Sequence, residues 1–533
     1  MTAAATRAAD LLGNGTAGAG TPLPAGFGIE MDASTRALSD GSLFGGSPAR
    51  VMRLTAAGST ALAELRAGPA RSAAARQLAR RLTDAGLAHP IPPPRAAAPE
   101  TALPEAALPE AALPEAALPE AGYATVTVVI PVRDRAAMLD RCLAAAGRQH
   151  QVLVVDDGSQ DPGAVAAVAA RRGATLLRRD ASGGPAAARN TGLAAVSSSL
   201  IAFLDSDCVP PPGWITRLAA HFADPLVGAV APRIVAAQSG QARSPAAAYA
   251  AACASLDLGG HPARVRPGSQ VSYVPTAALL VRRSALDSVA AGHDIFDPAL
   301  RYGEDVDLIW RLHDAGWRVR YEPSVRVPHD GPVCWPGLLG RRFRYGTSAA
   351  PLARRHPASL APLVLQPWPA ITVAALLGRR PAVAAAAGVA AWLDLTAAVR
   401  RAGVPADGAA GATVTAIRQT WLGLGRYATQ FAAPVLLLVL ARPGGRSASR
   451  RLGRRAAAAS LLLGPALTAY AERTPDLDPA RFTLARIADD ICYGAGVWAG
   501  CLRERTVVPV RPAISQRPLR VSGPPAHGKA DAR

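Results

Sequence analysis

Residues 200–207 read LIAFLDSD, five uncharged residues that stop in two aspartates one position apart. A short apolar run ending in turn-forming residues fits a strand buried on both faces. Carboxylates at its rim are costly unless they are paired, hydrogen-bonded or bound to a metal. Strand alternation puts Asp205 and Asp207 on the same side of the chain. Two hard oxygen ligands there suit Mg²⁺ or Mn²⁺ holding a diphosphate. An isolated D-x-D is also an ordinary strand-end turn, so the flanking sequence decides.

Upstream, ATVTVVIPV (124–132) is a second β-branched run, followed by helical spacing in AAMLDRCLAAAGRQ (136–149). Then come a strand, QVLVVDDGS (151–159), a helix over 163–173, a strand over 174–180, and a glycine-bearing turn and helix, SGGPAAARNTGLAAVSS (182–198). This alternation predicts an α/β fold with a doubly wound parallel sheet, in which ligands bind at the carboxyl ends of strands. Both DDGS and DSD fall at such ends. A carboxylate of the Asp156–Asp157 pair can accept hydrogen bonds from a base or ribose, with Gly158 allowing close approach; DDGS is equally a good turn.

About 100 residues further on, YGEDVDLIWRLHDAGWRVRYEP (302–323) opens a helix with Glu304 and Asp305 and turns Val306, Ile309 and Leu312 inward. Acids in a first turn are favoured by the helix dipole alone; the functional reading is a general base. His329, after the strand WRVRYEP, is a candidate third metal ligand or a structural histidine.

The 533 residues exceed one ordinary core, so two or three domains are expected. A formal charge of +19 favours an anionic partner such as a nucleotide diphosphate or an acidic membrane surface, or it reflects a solvated basic surface. No nucleic-acid module accompanies it. Six scattered cysteines without C-x-x-C spacing, and a first 20 residues lacking a long apolar run, suggest a cytoplasmic catalytic region. ALPEA repeats four times from Ala102 to Ala121. A proline in each copy makes this a semi-extended linker, 96–122. It separates a small α+β module at 22–95, winged-helix-like or peptide-clasping, from the α/β domain at 123–335; residues 1–21 are expected to be disordered. From 336 to 512 the chain is Ala-rich and helical. Residues 357–378 carry no charge, which is long enough to span a bilayer, although four prolines interrupt them. Arginine clusters flank the apolar runs, suiting either association with the inner face of the cell membrane or a buried helical bundle. A disordered basic tail is expected at 513–533.

Taken together, VTVVIPVRDR, VVDDGS, GGPAAARNTG, FLDSD and GEDVDLIWRLHDAGW resemble the inverting family 2 glycosyltransferases of GT-A fold over residues 123–330. The resemblance implies a nucleotide-sugar donor, with Asp157 on the uracil, Asp205 and Asp207 on the divalent cation and sugar diphosphate, and Asp305 as the catalytic base. It extends the donor site to Pro131, Asp134, Gly184, Arg189 and Asn190, and the metal set to His329. Asp134 departs from the pattern, where the family commonly has Asn. No Q-x-x-R-W motif is present, RRFRYG (341–346) being a loose counterpart, so long processive polymerisation is not expected. The flanking regions are similar to a narrower group that transfers glucose, from UDP-glucose, to a redox cofactor derived from a ribosomal peptide. Alternatives are an envelope lipid or polysaccharide acceptor, a nucleotidyltransferase, and a non-catalytic nucleotide-sugar binder.

Overall fold

The computed structural model describes residues 20–93, 125–237, 244–290, 294–357, 359–401, 405–442, 448–515 and 520–522. The expected disordered N-terminus, except residues 20 and 21, and the repeat linker lie outside the described residues.

The N-terminal module runs β1 (Gly28–Met31), β2 (Arg36–Ala37), β3 (Leu43–Gly45), β4 (Arg50–Met52), α1 (Ala56–Ala67), α2 (Ala73–Ala85) and β5 (Ala88–Ile91). Its helices start where sequence supplies caps: Thr55 Oγ1 accepts from Gly58 N at 3.1 Å, and Ser72 Oγ from Ala75 N at 3.0 Å. Gly86, in the left-handed region at φ 76°, ends α2. That turn sends the chain back as β5, antiparallel to β1. Phe27, Leu62, Leu78 and Leu82 fill the small core between.

The α/β domain follows as β6 (Val126–Val132), α3 (Ala136–Ala146), β7 (Gln151–Asp156), α4 (Pro162–Arg172), β8 (Thr175–Arg178), α5 (Gly184–Ala194), β9 (Leu200–Leu204), α6 (Trp214–Ala219), β10 (Val227–Ala236), α7 (Pro245–Ala252), β11 (Ala263–Val265), β12 (Ala278–Arg282), α8 (Arg283–Ala290), α9 (Glu304–Asp314) and β13 (Arg318–His329). They form an eight-stranded sheet in the order β11-β13-β10-β12-β9-β6-β7-β8. The β9-β6-β7-β8 half is parallel, as the βα repeat requires. The sheet as a whole is mixed, because β12 runs antiparallel between β9 and β10. β9 is buried on both faces: Leu200, Ala202 and Leu204 enter one core, Ile201 and Phe203 the other. Its carboxyl end delivers Asp205 and Asp207 to the sheet's edge.

The helical region comprises α10 (Trp335–Thr347), α11 (Ala349–Arg355), β14 (Val364–Leu365), α12 (Pro367–Leu377), α13 (Pro381–Arg401), α14 (Ala409–Ala441), α15 (Ala448–Arg473) and α16 (Pro479–Glu504), with β15 (Ala513–Ile514) and β16 (Arg520–Ser522) after it. Two expectations change here. The uncharged run 357–378 is not one spanning helix: Pro367 stands in the first turn of α12, whose 11 residues are too short to cross a bilayer. Instead α13 and α14 are long and apolar enough by length and composition, with 22% of each apolar stretch buried. The tail expected to be disordered from 513 begins with strand pairing, β15 parallel to β14 and β16 parallel to β4.

Two contacts position the site. The N-terminal module is pinned to the α/β domain through Asp224, fully buried, which accepts from Arg80 Nη1 and Nη2 at 2.8 Å each and from Arg320 Nη2 at 2.6 Å. Arg318 adds a two-pronged bond to Asp84, 2.7 Å on each arm. On the other side, α16 lies against α10 and α14 at backbone distance. A Cβ on Gly496 would stand 2.0 Å from Phe343 O, and one on Gly494 1.8 Å from Gln430 O. Only glycine permits that approach.

Candidate active site

A cleft of about 1270 Å³ opens at the carboxyl ends of β6, β7 and β9. Pro131, Asp157, Gly184, Arg189, Asp205, Asp207 and Asp305 all line it. Asp134, Asn190 and His329 are not among its lining residues.

Buried Asp156 ends β7 and holds the turn, accepting from Ser159 N at 2.9 Å and Arg178 Nη1 at 2.5 Å. Asp157 is saturated by its surroundings. Its Oδ1 accepts from Arg179 Nε (2.9 Å) and Gly183 N (3.0 Å), and its Oδ2 from Ser182 Oγ (2.7 Å) and Gly184 N (2.8 Å). Four donors on one carboxylate make it the anchor of the glycine turn. Gly158 passes under that turn at φ 70°, where a Cβ would sit 2.9 Å from Ser182 N.

Arg189, 3% exposed, joins the two acidic motifs: Nη2 donates to Asp205 Oδ1 at 2.7 Å and Nη1 to Glu304 Oε1 at 2.9 Å. Helix α5, which carries Arg189, thus ties the end of β9 to the head of α9 through one guanidinium, and burial makes these charge-assisted bonds strong. Its neighbour Asn190 points elsewhere. Both ends of its amide bond the Phe296 backbone, at 2.6 and 2.9 Å, so it fixes the segment before α9. Asp134 sits in the left-handed region at φ 54° and accepts from Gln160 N at 2.6 Å, a turn role that Asp and Asn both fill.

Asp207 accepts from Arg135 Nη1 at 2.6 Å, and its other oxygen lies 3.6 Å from His329 Nε2. An isolated bridge between Cys208 and His329 brings these two segments together. Among the described residues no three His, Cys, Asp or Glu side chains converge as a metal cluster. The donor set still fits a hard cation: Mg²⁺ is commonly bound by one or two carboxylates plus substrate phosphates rather than by an all-protein cage.

Asp305 is the second residue of α9, whose cap Gly303 adopts φ 86°. Its Oδ1 accepts from Val306 N at 2.8 Å. Burial, then the charge of Glu304 beside it, pushes its carboxyl up to about 7. A carboxylate near neutrality can take a proton from a hydroxyl and release it again.

Sequence reasoning missed the far wall. Tyr273, Tyr345, Arg342 and, from α14 to α16, Arg426, Arg473, Arg486, Asp489, Asp490 and Tyr493 face the same cleft. The only signals were the RRFRYG run and the acid pair in ADDICYG (488–494), in a region that reads as apolar helix.

A mostly parallel sheet, a glycine turn, strand-end acids and an acid-headed helix define the class, and comparison agrees. The model for glycosyl transferase family 2 matches residues 127–289. The chain belongs to this family and is a glycosyltransferase. It is 39% identical over 523 residues to the pre-mycofactocin glycosyltransferase of Mycobacterium tuberculosis, covering 93% of this chain and 99% of that protein. Glycosyltransferase AglE of Haloferax volcanii is 30% identical over 235 residues, 42% of this chain and 71% of that one. Among solved structures, a mannosyltransferase of Pyrobaculum calidifontis in complex with GDP-Man and Mn²⁺ aligns over 64% of this chain and 88% of that one, at 19% identity and TM-score 0.33.

Proposed function

We propose that the protein transfers glucose from UDP-glucose, with inversion, to a hydroxyl of premycofactocin, a redox cofactor precursor made from a peptide, adding one or a few units. The near full-length similarity to the pre-mycofactocin enzyme supports the acceptor. The observation that carries the chemistry is Arg189 bracketing Asp205 and Glu304, so that the acids of β9 and the head of α9 stand on opposite sides of one guanidinium.

In this reading the donor lies over the glycine turn that Asp157 anchors. Asp205 and Asp207, with His329 behind, would hold a divalent cation, whose charge would offset that of the departing diphosphate. Asp305 takes the acceptor proton as the hydroxyl oxygen bonds to the anomeric carbon. The bond from that carbon to the diphosphate oxygen breaks, and nucleoside diphosphate leaves. Exposed Trp392, Leu393, Leu437 and Leu438 on α13 and α14, with Arg400 and Arg401 ending α13, favour attachment to the inner face of the cell membrane. The same surface supports a second reading, an envelope lipid or polysaccharide acceptor.

The test incubates full-length protein with UDP-glucose, Mg²⁺ or Mn²⁺ and either premycofactocin or a polyprenyl phosphate, and follows hexose addition by mass spectrometry. Hexose on premycofactocin alone is expected. Transfer only to the lipid favours the second reading, and no transfer from any nucleotide-sugar overturns both.

A further inference from the structure

We propose that the C-terminal helices complete the acceptor subsite, with Tyr493 of α16 and Tyr273 as its hydroxyl donors, and that this subsite takes a neutral hydroxylated ring, sugar or aryl. The inference rests on the reading of Asp305 as the base for an acceptor hydroxyl.

The size of the cleft is the first indication. Drug-sized ligands occupy pockets of about 300–1,000 Å³, and this cleft, at about 1270 Å³, has room for a second substrate beside a nucleotide-sugar. The α/β domain supplies one wall, and α10, α14, α15 and α16 supply the other.

Composition indicates what the space between the two walls binds. The chain has nine tyrosines, and Tyr273, Tyr302, Tyr345 and Tyr493 all line this one cleft. Tyr302 and Tyr345 meet edge to face, ring centres 6.1 Å apart. The hydroxyls of Tyr273, Tyr345 and Tyr493 bond no partner among the described residues. Burial first, then the nearby Asp305 carboxylate and the other two hydroxyls, hold the Tyr273 proton on, so that hydroxyl is a donor. An apolar ring with a polar tip suits a ligand that is itself a ring bearing hydroxyls.

The two acids of α16 that flank Tyr493 in this wall are already engaged. Asp489 accepts from Arg342 Nε at 2.5 Å and from Tyr249 Oη at 3.0 Å. Asp490 accepts from Gln430 Nε2 at 2.9 Å and Arg426 Nε at 3.2 Å, and Arg486 Nε lies 3.3 Å from it. This paired network stiffens α16 behind Tyr493 and leaves the tyrosines to meet the acceptor. The glycine contacts at 494 and 496 fix the depth at which Tyr493 is presented.

The test measures binding and transfer separately. Wild type, Tyr493→Phe and Tyr273→Phe are titrated with p-nitrophenyl β-glucoside by ligand-observed NMR, and with UDP-glucose by calorimetry. Each Phe variant is expected to raise the Kd and KM for the aryl glucoside about tenfold, the worth of a hydrogen bond, with UDP-glucose affinity within twofold of wild type. Methyl β-glucoside and 4-methylphenol, titrated into the same three proteins, then separate the sources of affinity: a Kd raised in the Phe variants for the first assigns the sugar ring, for the second the aryl ring. Unchanged Kd and KM for the aryl glucoside in both variants overturns the subsite, as does an equal loss of UDP-glucose affinity. The two tyrosines lie on different elements, so if one variant melts early the other decides. An Asp305→Asn enzyme that still transfers sugar at the wild-type rate sinks the base reading instead, while the binding result stands.

Discussion

Asp305 occupies a position where two opposing demands meet. The head of a helix favours a negative charge, whereas burial and Glu304 disfavour one, and the balance puts its carboxyl near 7. Asp305→Asn keeps the shape and removes the base, so transfer should fall by at least about 100-fold while UDP-glucose binding, read by calorimetry, changes little. Because the folded-state value lies above the ordinary carboxylate value, the group is protonated, and inactive as a base, at mildly acidic pH. Initial rates should therefore climb about tenfold per pH unit below about 7 and level off above it; a profile flat from pH 5 to 8 would remove Asp305 from the role. These acids were legible in the sequence because each ends a strand or starts a helix, where local pattern is strong. The partners that fix their orientation were not. Arg135 meets Asp207 across 72 residues and Arg189 meets Glu304 across 115, and no local periodicity encodes a contact at that distance.

Among the elements, the parallel half of the sheet was readable because β6, β7 and β9 are apolar runs separated by helices. The antiparallel insertion of β12 was not, since Ala278–Arg282 follows a long irregular stretch and carries no crossover signature. Helix α16 is the larger surprise: its sequence reads as a generic small-residue helix, yet its glycines set the packing of the cleft's far wall. Gly496→Ala places a methyl 2.0 Å from Phe343 O. Overpacking of this kind costs about 1–3 kcal/mol, so differential scanning calorimetry should find the helical region melting several degrees lower. Acceptor KM should rise with it while donor affinity is spared. A variant with an unchanged melting curve would mean that α10 and α16 separate without cost.

For the whole molecule, a basic composition conceals a few buried acids that organise arginines. Asp224 takes three guanidinium bonds from two arginines of different domains, Arg80 and Arg320. Asp224→Asn leaves both cations without their counter-charge, and removing one partner of a buried pair costs about 3–5 kcal/mol. Limited proteolysis should then release residues 20–93 as a separate fragment, while the wild-type module stays protected. Equal protection in both would locate the docking energy elsewhere, in Arg318–Asp84 or in β16. That strand carries its own consequence. Residues 520–522 pair with β4 of the first module, so that module is joined to the rest of the chain through a sheet as well as through the repeats between Pro93 and Thr125. The covalent link then contributes mainly effective concentration. A protease site engineered into the ALPEA repeats should yield two pieces that co-elute and remain active, and separately expressed halves should reconstitute the enzyme on mixing.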